Sequence, residues 1–225
     1  MRVAVLYHCQ QTTHRLDDVL LEKGASVERF RMDLDQRVPA GRRFDAVVVL
    51  GGSMGAYEED PHPWLGEEKA WLAELVESGT PVLGICLGSQ LLAEALGGRA
   101  YLAERPEAGV VPLHLSKAGA VHPVLSRAGS RVFSLHQDTF DLPPGAVLLA
   151  QSDDYRQAFQ LGSALAVQFH PDADHELGVE WALEIAPFLE RAGVEMADYQ
   201  RSLEEAEADL DRESRALFRA FLETV

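Results

Sequence analysis

Residues 82–98, VLGICLGSQLLAEALGG, constrain the fold of this chain more than any other stretch. The first four residues are apolar, which is typical of a buried strand, and the apolar residues that follow recur with the period of a helix. No loop separates the two parts: Cys86 stands between them, with Gly84 before it and Gly88 after it. Small residues at these positions let a strand turn abruptly into a helix. The sequence therefore predicts a strand, a sharp turn at Cys86 and a helix.

Cys86 is a candidate nucleophile for this reason. At such a turn the sulfur faces the N-terminus of the helix, where backbone N–H groups and the helix dipole favour the thiolate, which is the form that attacks. A single cysteine in an apolar run is more often a buried structural residue. The flanking glycines reverse that expectation here.

The order of predicted elements indicates an α/β fold. Strands alternate with helices in the first 98 residues, which predicts an open, mostly parallel sheet flanked by helices. The strands are predicted at 2–7, 27–31, 45–50 and 82–85, and the helices at 13–23, 64–78 and 87–96. Beyond residue 99, short runs between glycine and proline turns predict an antiparallel or mixed β layer that completes the sheet, at 109–115, 131–135 and 146–150. A buried strand is predicted at 164–170, and helices at 175–191 and 197–222.

Composition argues against several classes of function. The formal net charge is −16, with 36 acidic and 20 basic residues, whereas nucleic-acid and anionic-membrane surfaces need a basic patch. No apolar run approaches the ~18 to 20 residues of a membrane span, and the N-terminus lacks the features of a signal peptide. We therefore expect a cytoplasmic protein with no nucleic-acid or membrane partner. The chain contains no asparagine, a bias that suits a thermophile and that a GC-rich genome also produces.

Neither a metal nor a cofactor is expected. The two cysteines, Cys9 and Cys86, make no disulfide framework, and no CxxC or His/Cys cluster indicates a metal site. The glycine-rich residues 50–55 follow a predicted strand, at the edge of the sheet where α/β proteins bind ligands. These glycines either expose backbone N–H groups to a negative oxygen or make a tight turn. They do not match GxGxxG, which argues against a dinucleotide.

A second chemical element is Gln-Phe-His170-Pro-Asp172. A cysteine hydrolase needs a base that takes and returns the thiol proton, and a third group that orients that base. In an extended segment, residues two apart point to the same side, so the carboxylate of Asp172 can reach the ring of His170. On its own this stretch would more often be a strand-end histidine beside a surface turn. Together with Cys86 it predicts a catalytic triad.

Three segments in the right order resemble the class I glutamine amidotransferases: VLGICLGSQLLAEALGG, LHQDTFDLPPGA and AVQFHPD. The likeness covers about residues 2–190 and is greatest to stand-alone proteins similar to the amidotransferase domain of GMP synthetase. The resemblance implies a flavodoxin-like fold and hydrolysis of the side-chain amide of glutamine to glutamate and ammonia. In such a reaction Cys86 would form a γ-glutamyl thioester and His170 would act as general acid and base.

The resemblance also implies roles for four further residues. The backbone N–H groups of Gly52 and Leu87 would form the oxyanion hole, which a glycine turn beside a helix start can do. Gln90 lies one helical turn beyond the cysteine, where the family's glutamine contacts the substrate. His136 matches a family histidine near the substrate pocket, with a turn-stabilising role as the alternative. The other histidines are assigned to surface or core packing: His8, His14, His62, His114, His122 and His175.

The chain departs from the family pattern at two positions. The family usually has glutamate where this chain has Asp172, and the shorter carboxylate is expected to fall short of His170 unless the backbone shifts. Asp174 and Glu176 are possible substitutes without the two-residue spacing. Loss of the orienting acid is often the least costly in a triad, so weakened activity is expected. Gln137 replaces a family glycine, which adds a side chain near the expected pocket.

Residues 1–191 are predicted to be the amidotransferase domain and residues 192–225 a C-terminal helical extension. The ~35 residues of the extension are too few for a synthetase domain. The ammonia would therefore pass to a separate synthetase subunit, or the protein would be a free-standing hydrolase of glutamine or of another γ-glutamyl amide. The extension has an apolar stripe at near-heptad spacing. We favour packing on its own domain, and the alternatives are pairing with a second copy or with a synthetase.

A catalytically impaired regulatory relative is the hypothesis from another class. The aspartate at 172 and the missing acceptor domain motivate it. The intact turn around Cys86 favours the enzyme, because a binding module has no need for a cysteine at such a turn.

Overall fold

The computed structural model describes residues 1–34, 37–184 and 186–225. The strands in these ranges are β1 (Arg2–Tyr7), β2 (Ser26–Arg31), β3 (Ala46–Val49), β4 (Val82–Ile85), β5 (Arg99–Pro112), β6 (His114–Leu115), β7 (Arg131–Asp141), β8 (Val147–Gln151), β9 (Arg156–Leu161) and β10 (Ala164–Val167). The α-helices are α1 (His14–Glu22), α2 (Trp64–Glu77), α3 (Leu87–Ala95), α4 (Lys117–Val121), α5 (His175–Glu184), α6 (Ala186–Ala192) and α7 (Met196–Leu222), and short 3₁₀ helices lie at Met32–Leu34 and Leu125–Arg127.

Eight of the strands form one sheet in the order β2-β1-β3-β4-β10-β9-β8-β6. The five strands from β2 to β10 are parallel, and the pairings from β10 through β9 and β8 to β6 are antiparallel. Strands β5 and β7 pair with each other in a separate antiparallel ribbon. The predicted α/β fold with a mostly parallel sheet and an added antiparallel layer is confirmed.

Both faces of the sheet are buried, as near-continuous apolar strands require. On one face Val3, Val5 and Val48 pack with α1, the 3₁₀ helix at Leu125–Arg127 and the end of α7. On the other face Ala4 and Val47 pack with α2, α3 and part of the ribbon. Successive residues of a strand point to opposite faces, which is why the two cores take alternate residues.

Three sequence predictions differ from the structure in detail. Residues 109–112 and 131–135 belong to the ribbon rather than to the sheet, because their partners are each other. The sheet is extended by residues 147–150 of β8 and by His114–Leu115, which form β6 at its edge. The strand predicted at 164–170 ends at Val167, after which the chain leaves the sheet. The helix predicted at 175–191 is two helices, α5 and α6, and its residue 185 lies outside the described residues.

Helix α7 packs on the rest of the chain through the apolar stripe seen in the sequence. Tyr199, Leu203 and Leu210 join a core with the ribbon and α5, and Leu217 and Phe221 join the core above the sheet. In the part of the chain that the structure describes, no helix has the length and apolar character needed to cross a membrane.

Candidate active site

The ends of three neighbouring parallel strands bring the chemically important segments together. Strands β3, β4 and β10 lie side by side and run in the same direction. Their carboxyl ends therefore meet at one edge of the sheet, which is the usual position of a site in an open α/β fold. Gly51 follows β3, Cys86 follows β4 and His170 follows β10.

The turn at Cys86 is as abrupt as its glycines predict. Cys86 has φ 52° and ψ −109°, and it is the only non-glycine residue with positive φ in the described chain. A Cβ atom on Gly84 would lie 2.4 Å from the backbone oxygen of Gly88, and one on Gly88 would lie 2.2 Å from the backbone oxygen of Val49. Only glycine allows α3 to lie this close to β3 and β4. The backbone strain is thus stored at the residue that would react.

Cys86 and His170 converge on the same face of Gly51. A Cβ atom on Gly51 would lie 3.0 Å from His170 Cε1, 3.5 Å from Cys86 Cβ and 3.9 Å from Cys86 Sγ. Both side chains are nearly buried, with 7% of Cys86 and 5% of His170 exposed. The His170 ring also packs edge-on against Trp181, at 4.9 Å between ring centroids.

Asp172 lies on the opposite side of the imidazole. Its Oδ1 is 3.2 Å from His170 Nδ1, and its carboxylate is fully buried. Burial lowers the pKa of His170, but the negative charges of Cys86 and Asp172 raise it more, so the net pKa is raised. With this raised pKa, His170 can carry a positive charge beside the sulfur of Cys86.

The shorter carboxylate at 172 therefore reaches His170, contrary to the expectation that it would fall short. Its second oxygen, Oδ2, accepts a hydrogen bond of 3.1 Å from Gln11 Nε2. The suggested substitute Asp174 instead accepts hydrogen bonds from the Leu177 backbone N–H, at 2.9 Å, and from His14 Nδ1, at 3.1 Å.

The second cysteine, Cys9, belongs to the hydrogen-bonded chain that holds Asp172. Cys9 Sγ donates to Gln11 Oε1 at 3.1 Å. Burial, together with the nearby charge of Asp172, raises the pKa of Cys9 to about 12. Cys9 is therefore a protonated hydrogen-bond donor at neutral pH rather than a second nucleophile.

Gly52 lies against the start of α3. A Cβ atom on Gly52 would lie 2.7 Å from Leu87 Cδ2 and 2.7 Å from His8 Cβ, so only glycine fits. Leu87 is the first residue of α3, and the N–H groups of a first helical turn have no partner within the helix. The structure thus brings both predicted oxyanion-hole residues to the site.

Gln90 and His136 share one acceptor. Gln90 Nε2 donates to the Asp138 carbonyl at 3.1 Å and to Gln168 Oε1 at 3.3 Å. His136 Nδ1 is 2.9 Å from the same Asp138 carbonyl, and its Nε2 is 3.2 Å from Glu107 Oε2. Both side chains are buried. His136 lies within β7 rather than in a turn, and both of its ring nitrogens have protein partners.

Glu107 is the centre of a buried polar cluster. Its Oε2 accepts hydrogen bonds from Ser134 Oγ and Gln157 Nε2, each at 2.7 Å, and its Oε1 accepts one from Ser152 Oγ at 2.5 Å. Burial raises the pKa of Glu107, but His136 and the serine hydroxyls lower it more, so the net pKa is lowered. The carboxylate therefore stays charged and ties the ribbon to the antiparallel part of the sheet.

Comparison with known proteins identifies the family. The family described as "Glutamine amidotransferase class-I" matches residues 4–182, most of the chain. The chain belongs to the class I glutamine amidotransferases. The match spans the cysteine turn, the ribbon histidine and the His-Pro-Asp segment, as the resemblance of the three motifs predicts.

Several relatives of this amidotransferase are GMP synthases. It is 31% identical to one subunit of the glutamine-hydrolyzing GMP synthase of Sulfolobus acidocaldarius over 186 residues, which are 80% of this chain and 94% of that protein. It is 40% identical to the GMP synthase of Thermomicrobium roseum over 133 residues, but these are 57% of this chain and only 23% of that protein. A crystal structure of a glutamine amidotransferase from Thermotoga maritima superposes with a TM-score of 0.85 at 29% identity, covering 99% of this chain and 98% of that chain.

Sequence reasoning missed three groups of residues around the site of this amidotransferase. These are Gln11, which holds the Asp172 carboxylate; Arg15, which donates to the Ala173 carbonyl at 2.5 Å; and the buried pair His8 and Glu68. Only Glu68 has a clear signal in the sequence, since it lies on the apolar face of α2 with Leu65, Leu72 and Leu75. A carboxylate on such a face needs a buried partner.

Proposed function

We propose that this amidotransferase hydrolyses the side-chain amide of glutamine to glutamate and ammonia through a thioester on Cys86. The observation that carries the proposal is the convergence of a strained Cys86 and a buried His170 on Gly51, with Asp172 on the far side of the imidazole. A structural cysteine has no need of this arrangement. A nucleophilic cysteine needs this arrangement, because the thiolate, the base and the orienting acid must be held in line.

The reaction follows from the positions of these groups. The sulfur of Cys86 attacks the amide carbon, and the negative oxygen that develops is bound by the N–H groups of Gly52 and Leu87. His170 gives its proton to the departing nitrogen, so the carbon–nitrogen bond breaks and ammonia leaves. A water molecule then loses a proton to His170 and attacks the thioester carbon. The carbon–sulfur bond breaks, glutamate leaves, and the Cys86 thiolate beside the protonated His170 is restored. Asp172 keeps the ring oriented and supports its positive charge.

Gln90 and His136 are placed to shape the substrate pocket rather than to react. Both hold the Asp138 carbonyl, and Tyr57 Oη donates to the Asp138 carboxylate at 2.8 Å. The segment around Asp138 would then supply the polar contacts to the α-amino and α-carboxylate groups of the bound glutamine. Substitution of Gln90 or His136 should raise KM more than it lowers kcat.

In this proposal the ammonia passes to a separate synthetase subunit in the cytoplasm. Residues 1–191 act as the amidotransferase domain and 192–225 as a helical extension. The matching Sulfolobus protein supports this, since it is one subunit of a GMP synthase and the matched region is nearly all of it. Whether this chain forms homo-oligomers is tested by sedimentation of the purified protein.

Another γ-glutamyl amide is the second candidate substrate. Gln137, where the family has glycine, is fixed by Arg191 of α6, whose Nη2 donates to Gln137 Oε1 at 2.7 Å. A fixed side chain next to Asp138 changes the rim of the pocket. This favours testing substrates that carry a larger group on the amide nitrogen.

Glutamate release is the deciding experiment, because an amide that carries a group on its nitrogen yields an amine instead of ammonia. The purified protein is given glutamine and a panel of γ-glutamyl amides, and Cys86→Ala and Cys9→Ala are assayed alongside. Turnover that disappears in Cys86→Ala and persists in Cys9→Ala supports the proposal, and the best substrate of the panel chooses between the two candidates. Rapid alkylation of Cys86 near neutral pH, slowed by glutamine, should accompany it. Slow alkylation that glutamine does not affect would leave a non-catalytic relative as the better description.

A further inference from the structure

Each oxygen of the Asp172 carboxylate has a side-chain partner. Oδ1 lies 3.2 Å from His170 Nδ1, and Oδ2 accepts a hydrogen bond of 3.1 Å from Gln11 Nε2. The Asp172 side chain has no exposed surface, so bulk water does not compete for either oxygen. A carboxylate that accepts at both oxygens cannot rotate without breaking one of the two contacts. Gln11 therefore helps to set where Oδ1 lies.

The donors and acceptors in this chain of contacts agree in direction. Carboxylate oxygens only accept, so the amide of Gln11 presents its NH₂ group to Asp172 and its oxygen to the other side. On that side Cys9 Sγ donates to Gln11 Oε1 at 3.1 Å. By the same rule His170 Nδ1 carries a hydrogen toward Asp172, which leaves Nε2 for the proton exchanged with Cys86. The contacts thus select both the orientation of the amide and the tautomer of the base.

The backbone beside Asp172 is held separately from its carboxylate. Arg15, which follows Gln11 by one helical turn, donates from Nη1 to the Ala173 carbonyl oxygen at 2.5 Å. The chain after β10 is therefore fixed by Arg15, and the carboxylate is fixed by Gln11. A substitution of Gln11 should leave this backbone in place and release the carboxylate alone.

The contact between Asp172 and His170 is at the long end of the hydrogen-bond range. Hydrogen bonds from N–H groups to charged oxygens are typically about 2.7 to 2.9 Å, and this one is 3.2 Å. Such a contact has little margin, because a small rotation of the short side chain takes Oδ1 out of range. The hydrogen bond from Gln11 to the other oxygen opposes that rotation.

We infer that Gln11 is a positioning residue that holds Oδ2 of Asp172, so that Oδ1 stays in contact with the imidazole of His170. The role assigned to Gln11 rests on the proposed function, in which Asp172 orients the base. Gln11 acts on the reaction through this carboxylate. The short acid and the glutamine together do what the acid at this distance would do poorly alone.

Gln11→Met tests this role, and Gln10→Met is its matched control. Methionine has nearly the shape of glutamine without its donor and acceptor, and Gln10 is the exposed neighbour. We expect kcat for glutamate release to fall by about 5- to 50-fold in Gln11→Met, since a hydrogen bond to a charged group is worth about tenfold or more. KM should stay within about twofold, because the interaction serves the base rather than substrate binding. Gln10→Met should keep both values.

A double-variant cycle separates positioning from general damage to the loop. Gln11→Met is combined with Asp172→Asn, in which the charge that orients the base has already been removed. If Gln11 acts through the carboxylate, Gln11→Met should now change kcat by less than about twofold. A damaged loop would instead lower kcat by the same factor with and without Asp172→Asn.

Gln11→Glu is a second variant of nearly identical shape. Its carboxylate cannot donate to Asp172 and repels it, so kcat at about pH 8 should fall by about tenfold or more.

Each result decides between the alternatives. A Gln11→Met protein with the kcat of Gln10→Met, or an equal loss with and without Asp172→Asn, would overturn the inference and leave the proposed function intact. If Gln11→Met does not fold, Gln11→Glu decides, and an unchanged kcat in that variant would overturn the inference. Absence of turnover in the unsubstituted protein would overturn the proposed function and the inference with it.

Discussion

Arg15 connects the segment that follows Asp172 to the C-terminal helix, and replacing it with methionine should destabilise the whole protein. The side chain is only 2% exposed. Its Nη1 donates to the Ala173 carbonyl at 2.5 Å, and its Nη2 donates to Glu207 Oε1 at 2.7 Å. Glu207 Oε2 also accepts from the His175 backbone N–H at 3.1 Å, at the start of α5.

The magnitude follows from these contacts. A hydrogen bond from a charged group contributes about 1.5 to 3 kcal/mol, and the bond to Ala173 is of this kind. The carboxylate of Glu207 is about one-third exposed, so solvent reduces its share to under about 1 kcal/mol. Methionine fills a similar volume, so little cavity is left. We expect Arg15→Met to lower the free energy of unfolding by about 2 to 3 kcal/mol, or Tm by roughly 4 to 12 °C in a chain of this size.

Denaturant unfolding of four proteins measures the effect: the unsubstituted chain, Arg15→Met, Glu207→Gln and the double variant. The cycle should show a coupling of about 0.5 to 1 kcal/mol. Arg212→Met is the matched control, because Arg212 pairs with Asp209 at the surface of the same helix and its loss should leave unfolding unchanged. An Arg15→Met variant as stable as Arg212→Met would refute the reasoning.

Three other predictions concern the site and its supports. Gly88→Ala should destabilise the fold by about 3 kcal/mol, because its Cβ would lie 2.2 Å from a backbone oxygen. Gly66→Ala meets only the flexible end of a side chain, at 3.2 Å, and should be neutral or stabilising by up to about 1 kcal/mol. Thermal unfolding compares the two variants. Asp172→Asn should lower kcat by about 10² to 10⁴ by removing the charge that orients His170, and Asp174→Asn, the nearby control, should lower it less than about threefold in the glutamate-release assay. Because the pKa of His170 is raised in the fold, the folded protein keeps a proton that the unfolded chain loses above its ordinary pKa. The free energy of unfolding should therefore fall as pH rises from about 6.5, and a flat profile from pH 6.5 to 9 would contradict this.

Local sequence patterns predict most of the fold and include the residues that we propose react. The apolar strands, the helical periods and the glycines around Cys86 are contiguous patterns, and each element they predict is present within a few residues. The exceptions are instructive. The runs at 109–115 and 131–135 contain strands as predicted, but strand propensity does not say which strand a segment pairs with. Only the structure shows that 109–112 and 131–135 form the ribbon, whereas His114–Leu115 pairs with β8 in the sheet.

The supports of the site were decided by the tertiary structure. Gln11 and Asp172 are 161 residues apart, Arg15 and Glu207 are 192 apart, and His8 and Glu68 are 60 apart. No local pattern marks such pairs, because each side chain is ordinary in its own segment and becomes significant only when packing removes water from both partners. The contact between Asp172 and His170 also depends on the tertiary structure. The distance between the two side chains is set by how the chain turns after β10, and contacts from Gln11 and Arg15 hold that turn in place.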